Sequence, residues 1–362
     1  MFSKSINLNK EYKSILLIQL GDIGDVVLTM PALKSLRERY PAARLYVAVR
    51  DKASEIIDDC QFVDETIIIK KTDGSPIRAI KEQFAFFRFL RSLKIEIAIE
   101  LRTGDRGSWL TFFSGAPIRL GREESSSRIS KRSFLFSELV IPDPKRVENS
   151  YIVTHHDDIL EKLGAKPAEI YFRLFIPEYR KEKIKYLLRQ NNIPQNRPIV
   201  AIHPFSLWSY KEWNDEKWIN LANKIIQQWN VSVIITGALG EYTRASRIAN
   251  SGDNIYNMAG TTTVGEFPAL IECCSVVIGV DTAAIHIATM VDAPSIALFG
   301  PGSTKVWALA GHKHRVLTAS MPCQPCRQKG CDGKGGKSMC LEFITVEDIL
   351  KNVKFLLENK EV

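Results

Sequence analysis

Residues 276–301 read VVIGVDTAAIHIATMVDAPSIALFGP, and this stretch decides the fold. Val276–Val280 is a continuous apolar, largely β-branched run, the composition of a strand buried on both faces of a parallel sheet. It ends at Asp281-Thr282, and a hydroxyl there suits a helix N-cap. Small residues follow at helical positions, and Ser295–Phe299 is a second buried strand. Strand, capped helix and strand form the βαβ unit of an open α/β sheet. The free N–H groups of the helix start, with the Thr282 hydroxyl, make a ready anion site. Ala283 and Ala284 let a ligand come close. His286, four residues past Thr282, shares its helix face. A capped helix with a core histidine describes the same residues equally well.

Outward from this unit the pattern repeats. Strands are expected at Ser14–Leu20, Leu45–Val49, Glu65–Ile69 and Ile95–Leu101, then at Ile199–His203 and Val231–Thr236. Helical periods lie between them. Glu216–Trp229 sets Trp218, Leu221, Ala222, Ile225 and Ile226 on one face. Thr263 and Glu266 read as a capping box opening a helix through Cys273. Thr345 and Asp348 open a last amphipathic helix. Two β/α series separated by a polar middle predict two doubly wound domains, residues 1–177 and 178–340, followed by a C-terminal helix in 341–362. Ligands of such sheets bind beyond the carboxyl ends of the strands, so the site is expected in the cleft between the halves.

Length agrees: 362 residues is two domains at about 100–200 residues each. With 45% hydrophobic and 25% charged residues the chain is neither disordered nor collagen-like. No apolar run approaches the roughly 18–20 residues of a membrane span. The polar N-terminus is no signal peptide, and a cytoplasmic protein is expected. The net charge of +8 is spread over both halves without a basic arm, which argues against a nucleic-acid binder. It describes either a solvated surface or attraction to acidic phosphates.

Three further stretches carry chemistry. ILLIQLGDIGDVVLTMPAL (15–33) runs a strand into a turn with Gly21 and Gly24, then Asp25. This is not the GxGxxG fingerprint, and a carboxylate at that point would repel a pyrophosphate. Asp25 is either a helix cap or a base. In HPFSLWSYKEW (203–213), Lys211 follows a buried strand and can neutralise phosphate, or is a surface lysine. In TGALGEYTRA (236–245), Glu241 can accept from a ribose or only favour a helix dipole. Separately, Cys323, Cys326, Cys331 and Cys340 open with C-x₂-C in a glycine- and lysine-rich loop. They suggest a structural tetrathiolate site for zinc or mononuclear iron. Reduced thiols or disulfides are the other readings, and Cys60, Cys273 and Cys274 read as buried small hydrophobes.

GDIGDVVLTMPALKSLRERYP (21–41), the Lys-x-Trp of KEW and VDTAAIHIA…PSIALFGP occur in order at matching separations. Together they resemble glycosyltransferase family 9, the heptosyltransferases of lipopolysaccharide core assembly. The resemblance covers nearly the whole chain. It implies the GT-B fold, two facing Rossmann-like domains, with the last helix crossing back onto the first. It implies inverting, metal-independent transfer of heptose from an ADP-linked donor to a lipid-anchored glycan. By position, Asp25 matches the catalytic base and Lys211 the donor-phosphate lysine. Asp281 matches the aspartate at the donor sugar, and Thr282 and Ala283 the diphosphate loop. His286 matches a nearby motif histidine, Glu241 the ribose ligand and Met258 the stretch beside the adenine. The family usually has Gly at position 283 and Pro at 214, where this chain has Ala and Asn.

The acceptor is expected on the first domain, at Gly24, Arg102, Thr103 and Arg122. Arg119, Arg128, Lys131 and Arg132 lie on the same basic segment, 119–132, read as a phosphate-gripping loop. Contact with the inner membrane would be peripheral. The alternatives are another nucleotide-sugar or a protein acceptor. From other classes come a nicotinamide-dependent oxidoreductase with Asp51 on the ribose, and a metal-stabilised binder of acidic polymers.

Overall fold

The structure, a computed structural model, describes residues 6–70, 76–123 and 132–358. The chain divides into two compact units, Met1–Phe172 and Arg173–Val362. The division falls a few residues before the Pro177 junction that the sequence suggests.

The first unit holds a six-stranded sheet: β1 (Ser14–Gln19), β2 (Arg44–Arg50), β3 (Glu65–Ile69), β4 (Ile97–Glu100), β5 (Ile118–Arg122) and β6 (Glu138–Val140). The second holds β7 (Ile199–His203), β8 (Ser232–Ile235), β9 (Ile255–Asn257), β10 (Val276–Val280), β11 (Ser295–Phe299) and β12 (His314–Thr318). The strand orders are β3-β2-β1-β4-β5-β6 and β12-β11-β10-β7-β8-β9, and all pairings are parallel. Both are the same doubly wound order, one written in reverse. In each the order turns round between the first and fourth strands, β1 beside β4 and β7 beside β10. Crevices at such switch points take ligands.

The continuous apolar runs are the buried central strands, as the two-sided cover of a parallel sheet requires. Each unit has its own core. In the first, Leu16 and Ile18 of β1 pack with Ala98, Leu110 and Leu90. In the second, Trp218, Leu221 and Ile225 of the Asp215–Gln228 helix pack on Val200, Ile278 and Leu298. Asn214 caps that helix, its Oδ1 accepting from Glu216 N–H at 2.8 Å. This gives the asparagine a structural reason at a position where proline is expected.

The C-terminal helix belongs to the second unit's core. Val346–Glu358 places Ile349, Val353 and Leu356 in the second unit's core, against the Asp215–Gln228 helix and β10–β12. Its apolar stripe is buried there. No helix among the described residues is long and apolar enough to cross a membrane.

Candidate active site

In the first unit, β1 gives way to a tight turn. Gln19 Oε1 accepts from Gly21 N–H at 3.1 Å, and the helix Ile23–Arg39 begins at once. Asp25 lies in its first turn, 24% exposed. Its Oδ2 accepts from Asp22 N–H at 2.9 Å and from Arg102 Nη1 at 2.7 Å. A Cβ on Gly21 would collide with the Asp25 carboxylate and the Arg102 guanidinium, so only glycine permits this approach. Asp25 is thus both a helix-start acceptor and an ion-paired carboxylate. Gly24 is buried in the same helical turn.

Arg102 follows β4, the neighbour of β1 at the switch point, and Thr103 continues its loop. Beneath that loop lies Glu100, 2% exposed. Burial pushes its carboxyl up to about 8, against the opposing charge of Arg132 and N–H bonds from Gly104 and Arg102. One of its oxygens has no hydrogen-bond partner among the described residues. Gly107 gives it room, since a Cβ there would meet Glu100 Oε1 at 2.6 Å.

Arg122 ends β5, the strand after β4. Its charge faces His155 and His156, and burial first and Arg122 second push His156 down to about 3. Arg119 donates to the carbonyls of Leu135 and Ala116. Arg132 donates to Ser108 Oγ at 2.8 Å. Arg128 and Lys131 lie outside the described residues.

The second unit repeats the plan with the charges exchanged. After β7, Ser209–Lys211 forms a single turn of 3₁₀ helix. Lys211 Nζ donates to Asp281 Oδ2 at 2.6 Å, and Asp281, only 6% exposed, ends β10, the switch-point neighbour of β7. The loop after β11 crosses close by, with a Cβ on Gly302 falling 3.1 Å from Asp281 Oδ2. Thr282 caps the Ala283–Met290 helix, its Oγ1 accepting from Ala284 N–H at 3.2 Å. The N–H groups of Thr282 and Ala283 therefore lie beside the ion pair at a helix N-terminus. His286 is buried, its ring 6.2 Å from that of Trp307.

Two flanking residues stand on neighbouring strand ends. Glu241 follows β8, and its Oε2 accepts from Ala238 N–H at 2.6 Å. Burial pushes its carboxyl up. Met258 follows β9, is buried, and ties back to β8 through its N–H to the Ile235 carbonyl at 2.8 Å.

The cysteine loop departs from expectation. Among the described residues no group of three or more His, Cys, Asp or Glu side chains is arranged to hold a metal ion. Cys323 and Cys331 are exposed, Cys326 is half-buried, and Cys340 is buried. Cys331 Sγ instead accepts from Met339 N–H at 3.3 Å. All four thiols are free, and burial first, then the charge of Cys331 and Cys326, push the Cys340 thiol up. What holds the loop is polar. Ser338 Oγ donates to the Tyr210 carbonyl at 2.6 Å and Ser209 Oγ to the Gly335 carbonyl at 3.2 Å. On its other side, Gln324 Nε2 donates to the Gly300 carbonyl and Arg327 N–H to that of Pro301. The loop thus braces the Lys211 turn and the Gly300–Gly302 turn together. Of the other cysteines, Cys60 and Cys274 are buried, but Cys273 is exposed.

The family model described as Glycosyltransferase family 9 (heptosyltransferase) matches residues 83–335. The chain belongs to that family. It is a glycosyltransferase, and the oxidoreductase and polymer-binding alternatives end there. It is 24% identical over 358 residues to lipopolysaccharide heptosyltransferase 2 of Escherichia coli, covering 96% of this chain and 99% of that one. Among solved structures, the ADP-heptose lps heptosyltransferase II of E. coli superposes with TM-score 0.77 at 20% identity, covering 96% and 100% of the two chains. A family 9 glycosyl transferase from Veillonella parvula gives TM-score 0.81 at 18% identity, covering 98% and 100%. These likenesses establish the GT-B class for this glycosyltransferase.

Glu100 is the site neighbour that the sequence reading passes over. Its signal is present: the strand Ile97–Glu100 is apolar up to its last residue, a carboxylate. Only the topology shows it enclosed beneath the Arg102 loop.

Proposed function

We propose that this glycosyltransferase moves a heptosyl group from an ADP-heptose-type donor to a saccharide of a lipopolysaccharide core, with inversion. The observation carrying this reading is that each unit sets an ion pair across the switch point of its own sheet, Asp25–Arg102 in the first and Lys211–Asp281 in the second, with the charges exchanged. The names of the relatives supply the sugar and the acceptor class.

The acceptor hydroxyl attacks the anomeric carbon. With Oδ2 of Asp25 held by Asp22 N–H and Arg102, Oδ1 is the oxygen offered to the hydroxyl proton. The bond from the anomeric carbon to the diphosphate oxygen breaks. Negative charge develops on the leaving group, where Lys211 and the N–H groups at the Thr282 helix start stabilise it. Asp281 releases Lys211 to the phosphate and supports positive charge at the sugar. Ala283 lines the diphosphate loop, and His286 backs it from inside the helix. Glu241 and Met258 border the ribose and adenine. Gly24, Arg102, Thr103 and Arg122 serve the acceptor, whose phosphates suit arginine forks. The acceptor is lipid-anchored, and the enzyme works from the cytoplasmic face of its membrane. Lys211 and the helix start supply positive charge where the leaving diphosphate needs it.

Thermal stabilisation tests the donor. The panel is ADP, ADP-heptose, UDP-, GDP- and dTDP-sugars, and NAD, each with wild type and Lys211→Ala. A native-state ligand stabilises by about 2.7 kcal/mol at 100 Kd. A shift with ADP-heptose that weakens in Lys211→Ala is expected. A shift with a different nucleotide-sugar alone would discard heptose, and no nucleotide response would discard the donor site.

A further inference from the structure

The Pro76–Ser92 helix is unusual for a surface helix. It buries Leu90, yet leaves Ile80 70% and Phe84 63% exposed. Ile80, Phe84 and Arg88 form one row at helical spacing. With Lys81 and Ala85 they line an open groove of about 450 Å³. The apolar surface continues beyond the helix. Phe87 stacks on Phe113 at 4.1 Å, Phe113 stacks on Trp109 at 5.5 Å, and Trp109 meets Phe134 at 6.0 Å. Trp109 and Phe134 are themselves exposed.

Cations are interleaved with these rings. Lys81, Arg88 and Arg91 are exposed on the helix, and the Arg119 guanidinium lies over Phe112 at 5.7 Å. Glu82 is two positions from both Ile80 and Phe84, so it projects from another face. A second copy of this chain would oppose the same cations to one another, which disfavours self-association. A surface of Trp, Phe and Ile set among Lys and Arg complements one environment well, the headgroup layer of an anionic bilayer.

We propose that this face, built from the Pro76–Ser92 and Asp105–Phe113 helices, docks the enzyme on an anionic lipid bilayer. The apolar side chains enter the headgroup boundary, and Lys81, Arg88 and Arg91 meet lipid phosphates. The Asp105–Phe113 helix starts three residues after Arg102, whose side chain holds Asp25. At about 1.5 Å per residue its aromatic end lies roughly 10–15 Å from that start, within the reach of a short saccharide on a lipid. This purpose rests on the acceptor reading above; the surface chemistry does not.

The test is cosedimentation with vesicles of phosphatidylcholine alone and of phosphatidylcholine mixed with phosphatidylglycerol. Wild type is compared with Ile80→Glu/Phe84→Glu and with Lys81→Glu/Arg88→Glu, all exposed positions, and an ADP thermal shift is read on each. Wild type is expected to sediment with the anionic vesicles and far less with the neutral ones. Each double variant loses about tenfold or more of that binding with its ADP shift intact. Absence of wild-type binding to anionic vesicles, or equal binding by the variants, would overturn the proposal. So would light scattering showing a dimer that the variants dissolve, since the face would then belong to a second copy. Failure of the ADP shift with vesicle binding intact would strike the donor reading and leave this one standing.

Discussion

At the residue scale, the two ion pairs turn fold into chemistry, and they are separable by mutation. Asp25→Asn keeps the acceptor for Asp22 N–H but removes the base. Turnover is expected to fall roughly 10²–10⁴-fold, with the ADP-heptose thermal shift unchanged. Full turnover in the variant would return Asp25 to a capping role. Glu100 makes a prediction about pH. Its carboxyl rises from 4.5 to about 8 in the folded protein, so the folded state holds a proton that the unfolded chain releases above its ordinary carboxylate range. Stability from this group is fully present below about pH 4.5 and is lost as pH rises through about 8. Glu100→Gln mimics the neutral form and should flatten that decline. Urea midpoints measured at pH 5 and at pH 8 check it: wild type loses more between the two than the variant does. Equal losses would mean that Glu100 does not hold the proton.

At the element scale, the central strands and the βα turns were legible in the sequence because burial on both faces leaves an unbroken apolar run. Ser14–Gln19, Ile199–His203, Val276–Val280 and Ser295–Phe299 all lie where that pattern puts them. Three of the strands that the pattern missed share a cause. β6, β9 and β12 are sheet edges, short and only partly covered, so Glu138–Val140 and Ile255–Asn257 carry no apolar run. β5, with two arginines in IRLGR, hides its register behind charge. The cysteines are a separate case: their spacing suggests a metal site, yet among the described residues no group of three or more metal-ligating side chains is gathered. What that loop does instead is testable. Ser338→Ala deletes the bond to the Tyr210 carbonyl, worth about 1 kcal/mol, so the Lys211 turn loosens and the donor KM rises several-fold with the fold intact. An unchanged KM would mean that the turn stands without its brace. The last helix is likewise structural: Ile349→Ala should cost about 2–5 kcal/mol, read as a lowered urea midpoint of the second unit.

At the scale of the whole molecule, the same doubly wound sheet is built twice with the switch-point charges exchanged, and each copy has its own core. Separate cores break two-state behaviour, so chemical unfolding should show two transitions. The tryptophans make them separable. Of six, only Trp109 lies in the first unit, while Trp213 and Trp218 pack edge to face inside the second, 4.8 Å apart. In Trp109→Phe, fluorescence therefore follows the second unit alone, and far-ultraviolet circular dichroism follows both. ADP at 100 Kd should move the fluorescence transition by about 2.7 kcal/mol and leave the remaining dichroism transition in place. That remaining transition should then respond to Glu100→Gln and not to Lys211→Ala. If ADP moved both transitions together, the nucleotide would draw on residues of both units, and the assignment of the whole donor site to strand ends β7–β10 would have to be given up.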